Sequence, residues 1–170
     1  MKKNTFVSID PKELNDSAIR LIGYDWMLIT AGSLENYNTM TAAWGQIGFL
    51  WKKPVVTTYI RPVRHTYKFA EEFETFSLCF FEEDMKPVLN LLGTKSGQDI
   101  NKMQIEGLTA FKGEHSVCFE QAKLIIECRK IYADDIKPEL FIDEAIDKNY
   151  PKKDYHRFYI GEILSCRIKA

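Results

Sequence analysis

Four short segments carry residue types suited to chemistry. In Tyr59-Ile60-Arg61-Pro62-Val63-Arg64-His65-Thr66-Tyr67-Lys68, two arginines, a histidine and a hydroxyl fall within six residues. A strand is expected to end at about Ile60 and a helix to begin at Thr66, which would leave unpaired backbone N–H groups at the same spot. Arg61, Arg64, His65 and Thr66 placed there suit a phosphate. They equally suit a solvated turn capped by Thr66. The second segment, Asn38-Thr39-Met40-Thr41-Ala42-Ala43-Trp44-Gly45, is small, polar and uncharged, with one large aromatic. Such a strand can present N–H and C=O groups to a planar heterocycle with Trp44 as a wall, or it can lie buried with Trp44 in the core. Gly93-Thr94-Lys95-Ser96-Gly97-Gln98-Asp99-Ile100-Asn101-Lys102 offers further donors to an anion, or a surface loop with two solvated lysines. His156 stands just before a strand, where a side chain enters a pocket or serves the structure.

Other chemistries lack their signatures. Cys79, Cys118, Cys128 and Cys166 are separated by 39, 10 and 38 residues, and neither C-x-x-C nor H-x(3–5)-H occurs. No metal site is expected, and the cysteines read as small buried hydrophobes. There is no G-x-G-x-x-G and no G-x-x-x-x-G-K-[ST], which disfavours a dinucleotide fold or a P-loop. With 23 positive against 24 negative residues, the chain lacks the excess charge of a nucleic-acid coat. The longest charge-free run, 36–51, is 16 residues with Asn, Gln, Thr and Gly inside it, too short to span a membrane. Residues 1–10 hold lysines but no apolar h-region, so no secretory signal is expected and the protein is placed in the cytoplasm.

The elements that must position these segments read as one domain over residues 1–170. Strands are expected at 26–30, 39–44, 54–60 and 76–81, the second stopping at Gly45. Two later strands alternate. In one, Leu124, Ile126 and Cys128 face inward, with Lys123, Glu127 and Arg129 outward. In the other, Phe158, Ile160, Leu164 and Cys166 share a parity with Glu162. Helices are expected from Thr66 to about Glu74, after an Asp84 cap with Gly93 as the stop, and over 139–147, with a capping box at Ser96 and Asp99. Six or more short strands with helices between them give a mainly β protein, a β-barrel with inserted helices.

Taken together, Asn38 to Gly45, Lys53-Pro54-Val55, Tyr59 to Thr66, Ser96-Gly97 with Asp99 and Lys102, and His156-x-x-x-Ile160-Gly161-Glu162 resemble the flavin reductase-like proteins, nearest the flavoredoxin type. The resemblance runs from about Tyr24 to Arg167. It implies a six-stranded Greek-key FMN-binding split barrel, a homodimer with FMN near the subunit interface. Asn38, Thr39, Met40, Thr41, Ala42, Ala43 and Trp44 would lie at the flavin ring. Arg61, Arg64, His65 and Thr66 would gather at the phosphate and ribityl chain, with Ser96, Gly97 and Lys102 beside them. His156 matches a histidine that reductase members hold near flavin and nicotinamide. Asp154-Tyr155 stands where those reductases commonly have Gly-Asp. The resemblance thus implies an oxidoreductase passing reducing equivalents from NAD(P)H through FMN to a free flavin or a redox protein. A flavoredoxin-like electron carrier that does not use nicotinamide is the second reading, and a non-enzymatic β-barrel binding module is the third.

Overall fold

The computed structural model describes residues 5–170, so the first four residues of the N-terminal segment lie outside the description. In chain order come β1 (Phe6–Ser8), α1 (Ala18–Arg20) continued by one π-helical stretch (Leu21–Asp25), β2 (Met27–Ser33), β3 (Asn36–Ala42), β4 (Gly45–Leu50) and β5 (Lys53–Ile60). Then follow α2 (Thr66–Glu72), β6 (Thr75–Phe80), α3 (Lys86–Thr94), β7 (Ala110–Lys112), β8 (Val117–Phe119), β9 (Leu124–Asp135) and β10 (Arg157–Lys169). Between β9 and β10 run two 3-10 turns, Pro138–Leu140 and Glu144–Asn149.

The main sheet is antiparallel, with strand order β3-β2-β6-β9-β10-β5-β4 and β1 added against the end of β10. Its two edge strands, β3 and β4, are consecutive in the chain, with only Ala43 and Trp44 between them. Three Cα steps reach at most about 11 Å. The sheet therefore curls until its first and last strands come together, which makes a barrel split along that seam.

Alternation then sorts the side chains into two cores. Ile29, Met40, Val56, Leu78, Phe80 and Ile126 fill the barrel. Leu28, Cys79 and Ile125 point the other way and pack beneath α3 and the β7–β8 hairpin, against Leu89, Leu92 and Phe119. Each fully buried Leu, Ile or Phe stabilises the fold by about 1.5–3 kcal/mol relative to an exposed position. All four cysteines are free thiols buried in these cores. Among the described residues, no helix is long and apolar enough to cross a membrane, and no group of three or more His, Cys, Asp or Glu is placed to hold a metal ion.

The fold is mainly β, as expected, and the six expected strands are β2, β3, β5, β6, β9 and β10. Several details differ. Gly45 opens β4 instead of ending the previous strand. Thr66 lies inside α2 with His65 at the cap position, because its hydroxyl accepts from Asn38 Nδ2 at 2.7 Å. A 3-10 turn takes up Asp84, and Gly93 lies within α3 rather than after it. Ser96 Oγ accepts from the backbone of Gln98, which makes a turn instead of a helix start. The helix expected over 139–147 is replaced by the two 3-10 turns, the second capped by Asp143.

Two strand faces are also corrected. Tyr159 and Ile163 enter the barrel, and Leu164 is exposed. A bulge between Ile163 and Ser165 reverses the parity, so Cys166 still points in. Glu127, assigned to solvent by alternation, is fully buried in the second core layer.

Candidate functional site

The split in the barrel is where all four segments converge. Met40 to Trp44, at the end of β3 and across the seam, form one wall of a cleft of about 220 Å³. Tyr59 and Arg61, at the end of β5, form a second wall, and Arg64, Gly93 of α3 and His156 complete it. A second recess of about 210 Å³ opens beside it, between the turn Val63 to Thr66 and the loop Thr94 to Gly97, with Lys102 and Asp99. Arg64 lines both. The strand end, the helix start and the Ser96-Gly97 loop thus meet around one guanidinium.

Asn38 and Thr39 line neither recess. Asn38 is buried and braces β3 to the first residue of α2 through Thr66. Thr39 turns to the outer layer, its hydroxyl 2.8 Å from that of Thr30, and offers the site only its carbonyl. Gly97 closes down on both Asn38 and His65. A Cβ at position 97 would come within 2.2 Å of Asn38 Oδ1 and 2.8 Å of the His65 ring, so no larger residue fits without moving the loop.

The second recess is short of negative charge. Lys102 is 4% exposed, and its Nζ donates to Thr39 O at 3.0 Å and Leu92 O at 2.7 Å. Arg64 Nη2 donates to Gly93 O at 2.8 Å. Among the described residues neither cation has a carboxylate at ion-pair distance. Burial, with Arg64 nearby, pulls Lys102 down to about 8, and burial with Arg61 nearby lowers Arg64. His65 is held below its ordinary value by burial, then by Lys68 and Lys102, and its Nδ1 is buried without a partner. A buried charge without a counter-ion is costly, and an unpaired buried nitrogen adds to the cost. An anion with several acceptor oxygens would relieve both. Because α2 has only seven residues, the positive character of this recess is assigned to side chains and not to a helix terminus.

Arg61 is differently employed. Nη1 donates to Asp154 at 2.8 Å, Nη2 donates to Asn149 O at 2.8 Å, and the guanidinium sits 4.9 Å from the Tyr150 ring centroid. Its charge is matched, so it shapes the cleft without seeking an anion. His156 is 7% exposed, with its ring 5.0 Å from that of Trp44 and Nδ1 2.9 Å from the Tyr150 hydroxyl. Burial, reinforced by Arg61 and only partly offset by Asp154, pushes its pKa down to about 4. It is therefore a neutral imidazole at neutral pH.

Tyr59, Gly93 and Asp154 stood within the segments read from sequence but were given no role at the cleft, and Tyr150 was not singled out at all. Tyr59 opens the arginine segment and was within reach of that argument. Tyr150 sits in a polar stretch where no spacing marks it.

The model of the flavin reductase like domain family matches residues 19–170. Among solved structures, the FMN-binding domain of a flavin reductases-like enzyme from Shewanella baltica OS155 has a TM-score of 0.70 at 18% identity, over 99% of this chain and 80% of that one. Flavoredoxin from Methanosarcina acetivorans has a TM-score of 0.65 at 19% identity, over 84% and 67%. The styrene monooxygenase flavin reductase from Pseudomonas putida S12 has a TM-score of 0.60 at 13% identity, over 84% and 77%. At these identities the likeness is one of fold. No curated protein matches the chain significantly.

Proposed function

Because the chain belongs to the flavin reductase like domain family, we propose that it is a flavin-dependent oxidoreductase that holds FMN across the two recesses. The observation that carries this reading is the pair of cations without carboxylates, Arg64 and Lys102, opening directly onto a cleft of planar-ring size. Arg64, Lys102, His65 and the Ser96-Gly97 loop would hold the phosphate, and Met40 to Trp44 with Tyr59 would flank the ring. When bound, FMN supplies the redox chemistry itself, as a ring that accepts and gives a hydride or single electrons. The chain's own residues then anchor, orient and shield. Trp44 and His156 cover the cleft beside the ring, with His156 placed to position an electron donor.

In this reading NAD(P)H is the donor, and a free flavin or redox protein the acceptor. A homodimer in the cytoplasm completes the proposal. A specific observation favours the flavoredoxin-like alternative: Asp154, which departs from the reductase pattern, is spent on Arg61, and Tyr155 donates to Asp147 at 2.7 Å. Those contacts pin the 138–155 segment beside His156, where a nicotinamide would have to enter.

The test starts with purified protein. Visible absorption and mass analysis of the released cofactor should give FMN, about one per subunit, and light scattering should give a dimer. Anaerobic mixing with NADH or NADPH should bleach the flavin. Bleaching by dithionite alone would move the reading to the electron carrier. A colourless protein that takes up no added FMN would overturn the proposal.

A further inference from the structure

Three aromatic rings gather on the far side of His156. Phe141 and Tyr155 flank Tyr150, at 6.3 and 4.8 Å between centroids, and Tyr150 meets His156 edge-on at 5.5 Å. Tyr150 is 3% exposed, held in place beneath the Arg61 guanidinium. Its hydroxyl has one partner among the described residues, His156 Nδ1, at 2.9 Å. The geometry points to Tyr150 as a positioning residue that fixes the proton of His156 on Nε2, giving the cleft one N–H donor of set direction whose matching ligand group is an uncharged carbonyl oxygen.

The direction of the hydrogen bond follows from the two groups. A neutral imidazole has one donor and one acceptor nitrogen, and which is which is set by the bond the other makes. A phenol is a stronger donor than an imidazole N–H, and an sp² imidazole nitrogen is a stronger acceptor than a phenol oxygen. The Arg61 cation over the ring withdraws charge from the phenol and strengthens its O–H as a donor. Tyr150 O–H therefore donates, Nδ1 accepts, and the ring proton resides on Nε2. The surroundings keep the ring neutral. Trp44 faces it from the seam at 5.0 Å and Tyr59 from β5 at 6.3 Å, neither charged. The two charged groups nearby, Arg61 and Asp154, are paired with each other. With Nδ1 taken, Nε2 is the nitrogen left for the cleft that His156 lines. A neutral donor can bind a carbonyl without bringing a charge to a site that already has two unmatched cations. The carbonyl ligand is the part that rests on the functional reading above, since flavin rings and carboxamides both carry such oxygens.

Nitrogen-15 NMR of the full-length protein tests it directly. At pH 7 the His156 ring should be almost wholly the Nε2–H tautomer. In Tyr150→Phe the ratio of Nε2–H to Nδ1–H should fall about 3- to 10-fold, the worth of one ordinary hydrogen bond. Phe141→Leu, which thins the packing around Tyr150 but removes no hydrogen bond, should leave the ratio unchanged. A wild-type ring protonated on Nδ1 overturns the inference even if Tyr150→Phe does not fold. Equal shifts in the two variants also overturn it, since packing alone would then be the cause. A protein with the Nε2–H tautomer that takes up no FMN supports this inference and fails the functional one.

Discussion

Two buried charges in this molecule sit in opposite circumstances. Glu127 of β9 is fully buried, yet it accepts from the backbone of His115 and Ser116 at 2.7 Å, from Glu114 at 3.2 Å and from Arg167 Nη2 at 2.6 Å. The 113–116 loop is wrapped so closely around it that a Cβ on Gly113 would lie 2.4 Å from its carboxylate. Lys102 is as deeply placed but meets only two carbonyl dipoles and the repulsion of Arg64. A charge whose every lone pair is satisfied inside the protein is part of the scaffold. A charge left with dipoles and a like-signed neighbour is a place for something from outside.

That contrast can be broken at either end. Glu127→Ala should have the largest effect, about 3–5 kcal/mol of stability in urea unfolding, because Arg167 and three N–H groups lose their partner. FMN affinity of the folded fraction should not change. A stability loss below about 1 kcal/mol would mean that the loop re-forms its bonds elsewhere.

Arg64→Ala strikes the open site instead. Removing one charge-assisted contact of about 1.5–3 kcal/mol weakens FMN binding about 10- to 150-fold. Riboflavin, which lacks the phosphate, should change far less. Equal losses for both ligands would place Arg64 in the scaffold.

The smallest effect is a pH signature of Lys102. Its proton is released near pH 8 in the folded, unliganded protein, against an ordinary value of 10.5. The unfolded chain then holds more protons between these limits, so stability without ligand rises with pH across that window. Anion binding runs the other way, because it needs the ammonium. FMN affinity should fall about 3- to 10-fold from pH 7 to pH 9, and Lys102→Met should flatten the profile. An affinity independent of pH in the unmutated protein would exclude Lys102 from the phosphate site.

Sequence reading located the open site more readily than the closed one, for physical reasons. Arg64, His65, Ser96, Gly97 and Lys102 are conspicuous because polar residues clustered beside a strand end have few structural uses. Strands β2, β5 and β6 were legible from runs of β-branched and apolar residues. Glu127 was hidden because alternation treats a carboxylate as a solvent-facing residue, and its partners, Arg167 and the 113–116 loop, are distant in sequence or donate through backbone. The parity of β10 failed at a single bulge at Leu164, which no residue type announces. β4 was missed because Gly45, Gln46 and Gly48 dilute its pattern, and β7 and β8 because three residues are too few to show a period. The Tyr150 contact depends on how two 3-10 turns fold back, which local sequence does not determine.

The strand pairing also governs when the protein becomes competent during synthesis. β5 has its outer neighbour β4 beside it at once, but its inner neighbour is β10, where Ile60 must wait for Arg157. Until β10 leaves the ribosome, the β4–β5 pair has no strand to join it to β9, β6, β2 and β3, and His156, at the entry to β10, has no fixed place beside the seam. Such distant pairings are slow to form, since the chain between them must be gathered first. Cofactor loading therefore has to follow the synthesis of β10, and a chain truncated before β10 would take up no flavin.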